Sequence, residues 1–280
     1  AARTGNAAAF SIFALILQWS VGRLRQPWRI VYGASSLMQI IPLTLLIVFG
    51  AQAKVSPSTR KESAGEQEEE LKKPSVRESL TTIARLAKTP EFWCHLINRA
   101  ALMVFGSFLL FVPTLMEQCY GVTSSEAAQV GSIFAIGCLI AVTGGSHVYE
   151  QLNRQAKAAT ALGLMGIATL CTVAHLYHVQ GVITMTAVQA TSALFIWGLT
   201  FAVPFYIPCS LYALKRGGKA CSATIADVFD FVGFALLAVF NGYVASIKHN
   251  SPAAWIPTFQ ILGLCASSSM ISLALAALFE

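Results

Sequence analysis

The chain has 280 residues, 55% of them hydrophobic and only 11% charged, with a formal net charge of +6 and a mean hydropathy of +0.63. That composition excludes an ordinary soluble globular domain, and apolar runs that are continuous rather than alternating exclude a membrane β-barrel. The basic residues fall in short connections between apolar runs, without the aromatic-interleaved basic stripe of a nucleic-acid surface, so nucleic acid is not expected as a partner.

A helix needs about 20 mostly apolar residues to cross a hydrocarbon core of about 30 Å. Segments at about 7–21, 30–50, 93–116, 127–148, 158–178, 182–211, 219–247 and 253–279 meet or approach that length. The expected fold is therefore an all-α membrane protein, a polytopic helical bundle of about eight transmembrane helices. The opening "AARTGNAAAF" has no Met and leads straight into an apolar run, as a piece of a longer protein would.

Between the second and third segments lies "AQAKVSPSTRKESAGEQEEELKKPSVRES", rich in Ser, Glu, Lys and Pro. Such a stretch buries too little apolar surface to order itself, so its middle is expected to be disordered. Its end, "VRESLTTIARLAKTPEFW", sets Val76, Leu80, Ile83, Ala84 and Ala87 on one helical face, as in a short amphipathic helix on the membrane surface or in a solvated linker. Lys and Arg predict the orientation. With this loop in the cytoplasm, Arg154, Lys157, Lys215, Arg216 and Lys219 share its side, whereas Arg23, Arg25, Arg29 and Lys248 fall outside.

In the third segment, Arg99 of "CHLINRAALMVF" stands about two turns past Trp93, near enough for its side chain to snorkel back to the interface. The alternative is a cation facing a cavity, paired with Asp227 or Asp230. His175 and His178, at the outer end of the fifth segment, read as interfacial. In the sixth segment, Gln189, Thr200, Trp197 and Tyr206 are candidate lining residues of a solute path, although aromatic rings inside a bundle are more often packing groups. Pro204 and Pro208 interrupt the same helix and leave carbonyl groups without their usual donors.

The seventh segment carries the strongest signal. A rotation of about 100° per residue places Asp227, Asp230, Phe234 and Asn241 within one sector. At about 1.5 Å per residue from Lys219, Asp227 lies roughly 12 Å deep and Asp230 roughly 16 Å. A charged side chain facing lipid at mid-bilayer costs about 2.5–3.5 kcal/mol or more, so this stripe is expected to face water or a partner side chain. Asp230, the deeper, is the better candidate to carry a proton or hold a cationic group. Asp227 has a plain alternative, a structural pair with Arg216 or Lys219.

The seven cysteines lie mostly inside apolar runs, without the close spacing of a zinc or redox pair. No HExxH, GxSxG or phosphate-cradling GxxxxGK[ST] occurs, so neither an enzyme, a cofactor nor a metal is expected. Gly131, Gly137, Gly144 and Gly145 fit close helix packing.

Taken in order, "RLRQPWRIVYG", the long loop, "LAKTPEFWCHLI", "FVPTLMEQCYGVTSSEAAQVGSIFAIG" and "RGGKACSATIADVFDFVGFALLAVFNGYVAS" resemble the last eight of the twelve helices of a major facilitator superfamily transporter. The resemblance implies residues 1–50 as the last two helices of an N-terminal half, 51–92 as the cytoplasmic central loop and 93–280 as a six-helix C-terminal half. It also implies alternating access between two halves, with the lipid bilayer, a small-molecule solute and earlier helices of the same protein as partners, and a proton as candidate coupling ion. The loop "GGSHVYEQLNRQAK" keeps the superfamily's glycine, acidic and basic pattern only loosely, in Gly145, Glu150, Arg154 and Lys157. "VPTLMEQ" is similar to the organophosphate:phosphate antiporters, but Phe105 stands where their phosphate-binding arginine would be. The function expected is a multi-pass secondary transporter of a small solute. The alternative is a transport-inactive relative acting as a receptor or trafficking scaffold.

Overall fold

The computed structural model describes residues 76–247 and 251–279, with scattered positions between 15 and 44. Chain contacts define one unit of Ala1–Ser11 with Lys73–Glu280 and another of Ile12–Lys72. In the second unit the described positions, among them Leu15, Trp19, Ile30, Leu37 and Thr44, are helical. The remainder of the first two predicted helices and nearly all of the polar stretch lie outside the described residues.

The first unit is a helical bundle. A short helix α1 (Val76–Leu86) precedes α2 (Pro90–Ser107), a 3-10 turn (Phe108–Phe111) and α3 (Val112–Tyr120). Helices α4 (Ser124–Gln151) and α5 (Arg154–Val179) follow, then α6 (Ala187–Gly218) and α7 (Cys221–Ser246). A 3-10 turn (Pro252–Trp255) leads into α8 (Ile256–Phe279). Six spans among the described residues are long and apolar enough to cross a membrane, with α2 and α3 forming one of them. This is the architecture of a multi-pass membrane protein, and each of the six coincides with one of the last six predicted segments.

Local chemistry sets the helix ends. Pro90 opens α2 at a position whose N–H would have no helical acceptor anyway. Thr123 with Glu126, and Thr186 with Gln189, close reciprocal caps at the starts of α4 and α6, and the Asn153 side chain caps α5 by accepting from Ala156 N. Within the first span, Pro113 has no N–H for the Leu109 carbonyl; Val112 N–H takes it instead, tightening the chain into the 3-10 turn. Gly218, at φ 58° and ψ −166°, ends α6 in a backbone conformation closed to other residues, and the chain turns there into α7.

Two packing expectations need correction. The face of α1 turned inward carries Ser79 and Leu86, while Leu80 and Ala84 are exposed. The helix is thus rotated about a quarter turn from the predicted face, because Leu86 docks with Tyr212, Ile225 and Phe229 in a cluster at one end of the bundle. Among the glycines, Gly144 has open space around its Cα, whereas Gly137 sits at a true close crossing: a Cβ there would lie 2.5 Å from the Phe195 carbonyl oxygen. Gly198, on the facing helix, meets the Phe134 carbonyl in the same way.

The core is aromatic. Trp197, fully buried on α6, stacks on Phe108 with ring centroids 5.2 Å apart and planes 8° apart, and Phe105 lies 4.7 Å away. Phe134, Phe201 and Phe259 complete the cluster. His175 belongs to it as well. It is fully buried rather than interfacial, shares a 2.7 Å hydrogen bond with Tyr120 Oη and stacks on Phe259.

Candidate functional site

Of the six spans α7 is the least covered, with 22% of its apolar stretch buried against 67% for the first span. Ile225, Phe229, Phe240 and Val244 form its inward face. The sector predicted to carry the polar stripe is turned away from that face: Phe234 and Asp227 are exposed, and Asp230 and Asn241 are half-buried at its flank.

Asp230 has a counter-charge. Arg99 Nε donates to Asp230 Oδ1 at 2.7 Å, and Arg99 Nη1 donates to the Phe205 carbonyl at 2.9 Å. The guanidinium also lies over the Phe205 ring at 4.0 Å, with the Tyr206 ring at 5.8 Å. The side chain of Arg99 is 15% exposed and that of Asp230 35%, so the pair sits at the edge of the bundle with the acid on the open side. Arg99 therefore does not snorkel. Because α2 begins at Pro90, Arg99 and Asp230 each stand about nine residues, or about 14 Å, from the α1 end of their helices, which brings two opposite charges to one depth. Carbonyl, ring face and carboxylate together replace the water that a cation there has lost.

Beside this pair runs a buried polar seam that the sequence reading did not single out. Ser269 Oγ donates to Asn98 Oδ1 at 2.6 Å, and Asn98 Nδ2 donates to the Pro204 carbonyl at 3.4 Å. That carbonyl lacks its helical donor because residue 208 is proline, so Pro208 and Asn98 form one device joining α6, α2 and α8. Mid-span Asn98 carries the same signal that drew attention to Asp230, a polar side chain in an apolar run. At the α1 end, Arg216 Nε donates to Glu91 Oε2 at 3.1 Å. Arg216 is thus committed to α2 and not to Asp227: it leaves the last turn of α6 beside the first turn of α2, where Glu91 follows Pro90.

The remaining candidates do not converge on Arg99 and Asp230. Asp227 is exposed and makes no hydrogen bond or ion pair among the described residues. Asp227→Asn is accordingly expected to change the unfolding midpoint in detergent by no more than about 0.5 kcal/mol equivalent; a larger loss would reveal a partner for it. Gln189 is exposed, its Oε1 occupied by Thr186 N at 2.9 Å in the helix cap. Thr200 is buried and donates to the Ile196 carbonyl at 2.8 Å, and Trp197 lies inside the core. Asn241 is about 16 Å along α7 from Asp230, with its Oδ1 buried and without a hydrogen-bond partner among the described residues.

A groove of about 480 Å³ between α2, α7 and α8 is lined by Ile97, Val104, Leu236, Val239 and Leu264 among others. It offers an amphiphile an oily wall and an ion no partner. Among the described residues, no three His, Cys, Asp or Glu side chains converge as metal ligands.

No curated protein gives a significant match to this chain. Residues 27–191 match the model of the Organic Anion Transporter Polypeptide family, from the start of the second predicted helix to the start of α6. With more than half of the chain matched and six apolar spans behind the match, the protein belongs to the Organic Anion Transporter Polypeptide (OATP) family of membrane transporters.

Proposed function

We propose that this protein is a secondary transporter that moves an organic anion by alternating access, and that residues 93–280 form the six-helix C-terminal half of a major-facilitator-like fold. The substrate class is taken from the family's name. The observation that carries the reading is the mid-span ion pair on the least covered side of the bundle. Arg99 is held in place by the Phe205 carbonyl and ring, while its anionic contact, Asp230, is the more exposed member of the pair. An incoming carboxylate or sulfate can replace Asp230 at the guanidinium without leaving Arg99 uncompensated. Asp230 would then be released, and a proton is the simplest cation to accompany it. This gives the coupling ion a place in the cycle.

The test is uptake of a fluorescent organic anion into vesicles carrying the full-length protein, at two external pH values. Asp230→Asn is expected to abolish the pH dependence of uptake while retaining measurable transport, since Arg99 remains. Uptake and pH dependence both unchanged in that variant would remove Asp230 from the pathway.

A further inference from the structure

At the α1 end of the bundle, one helical turn along α2 from Arg99, α2, α4, α5, α6 and α8 line a pocket of about 70 Å³ that contains neither Arg99 nor Asp230. We propose that it binds a single phosphate group, carried either by an anionic lipid or by free phosphate. The proposal does not rest on the transport reading above.

Four observations combine. Two cations, Arg154 and Lys157, line the pocket, and no acidic side chain does. Both stand in the first turn of α5, whose N-terminus, capped by Asn153, adds the positive end of the helix dipole. Arg154 is fixed across the mouth, donating from Nη2 to the Ala277 carbonyl on α8 at 2.6 Å. Lys157 Nζ lies 6.0 Å from the Tyr149 ring, half-buried.

The fourth observation is His95. It lines the same pocket, is 2% exposed, and neither ring nitrogen has a hydrogen-bond partner among the described residues. Its ring is held by stacking on Tyr212 at 4.5 Å. Imidazole always carries at least one N–H, so a buried histidine with both nitrogens unpaired wants a polar atom that the protein does not supply. A tetrahedral oxyanion supplies acceptor oxygens to His95, Lys157 and Arg154 together.

Size limits the ligand. Pockets for drug-sized molecules run to about 300–1,000 Å³, so this one admits a headgroup phosphate and not an organic anion of transport size. Its place at the end of the spans, where headgroups lie, suits a lipid phosphate entering sideways. Free phosphate has the same chemistry and would enter from the aqueous side.

The experiment follows thermal unfolding of the purified full-length protein in neutral detergent, titrated in separate arms with sodium phosphate, short-chain phosphatidic acid and short-chain phosphatidylcholine. A site that binds only the folded state raises the midpoint saturably. Phosphatidic acid is expected to do so, and phosphatidylcholine, whose phosphate is masked by choline, far less. A matching rise with sodium phosphate would identify free phosphate as a ligand, and its absence would identify the lipid. Lys157→Gln and Arg154→Gln, both outside the core, are expected to raise the phosphatidic acid concentration needed by about tenfold each. The unliganded midpoint should stay close to that of the parent for Lys157→Gln and fall for Arg154→Gln, which gives up the hydrogen bond to Ala277. Each shift is therefore read from the variant's own unliganded midpoint. The proposal is overturned if neither phosphate source shifts the midpoint, or if both variants respond as the parent does.

Discussion

Gly198→Ala is expected to be the most damaging glycine-to-alanine change among the described residues. A Cβ at that position falls against the carbonyl oxygen of Phe134, a backbone atom on α4 that cannot rotate away. Its counterpart Gly137 is equally closed by the Phe195 carbonyl at 2.5 Å. The two glycines let α4 and α6 approach until backbone meets backbone, the small-residue contact by which membrane helices associate when no hydrophobic driving force separates them from lipid. Added volume at such a contact costs about 1–3 kcal/mol, and the upper end applies here because relief requires moving a helix. The crossing also positions Trp197 on the Phe105 and Phe108 rings, so the damage should spread into the aromatic core. Melting followed by size-exclusion chromatography in detergent is the measurement, with Gly163→Ala as control. Nothing lies within 4 Å of a Cβ at Gly163, on α5, and alanine there should gain about 0.5–1 kcal/mol of helix stability. If Gly198→Ala melts with the parent, the crossing is looser than described.

The second large effect concerns the sign of charge at mid-span. Arg99→Asp alone would place two carboxylates at one depth beside the Phe205 ring, and Asp230→Arg alone would place two guanidinium groups there. Removing or reversing one partner of a desolvated ion pair costs several kcal/mol, because the other is left uncompensated. The 35% exposure of Asp230 reduces that cost without cancelling it. Each single reversal is therefore expected to lower the yield of folded protein and to cut organic-anion uptake by about tenfold or more. The double variant, Arg99→Asp with Asp230→Arg, should recover much of the yield. Its uptake should stay low, since the cation would then project from α7 and lose the Phe205 carbonyl and ring that hold Arg99. Yield and uptake recovering together would make the pair an ordinary brace. If yield did not recover, the two side chains would not be partners.

The alternative of a transport-inactive scaffold draws no support from the core. Its large apolar side chains, Trp197, Phe201 and Phe259 among them, fill the inside of the six-helix unit.

Much of this architecture was legible in the residues. Continuous apolar runs fixed all six described spans, because in hydrocarbon a backbone must satisfy itself within one helix. Boundaries were read less well: the apolar runs placed the starts of α2, α4 and α6 at about 93, 127 and 182, whereas Pro90, Thr123 and Thr186 set them through local chemistry. Arg99 and Asp230 could be singled out by the cost of charge in lipid. Their union stood only as the alternative to snorkelling, because the start of α2 was placed at Trp93, three residues late, which made Arg99 look shallow.

By itself, then, the sequence determined that the protein spans a membrane many times and that Asp230 must face water or a partner side chain, since both follow from transfer energies that act on each residue wherever its neighbours lie. Only the tertiary structure decided which groups meet. It sent Arg216 to Glu91, enclosed Trp197 and His175, spent Gln189 on a helix cap and left Asp227 exposed. Those outcomes depend on how each helix is rotated about its axis, which is set by the crossing at Gly137 and Gly198 and the aromatic packing around it. Hydropathy along one helix carries no record of its neighbours' rotation.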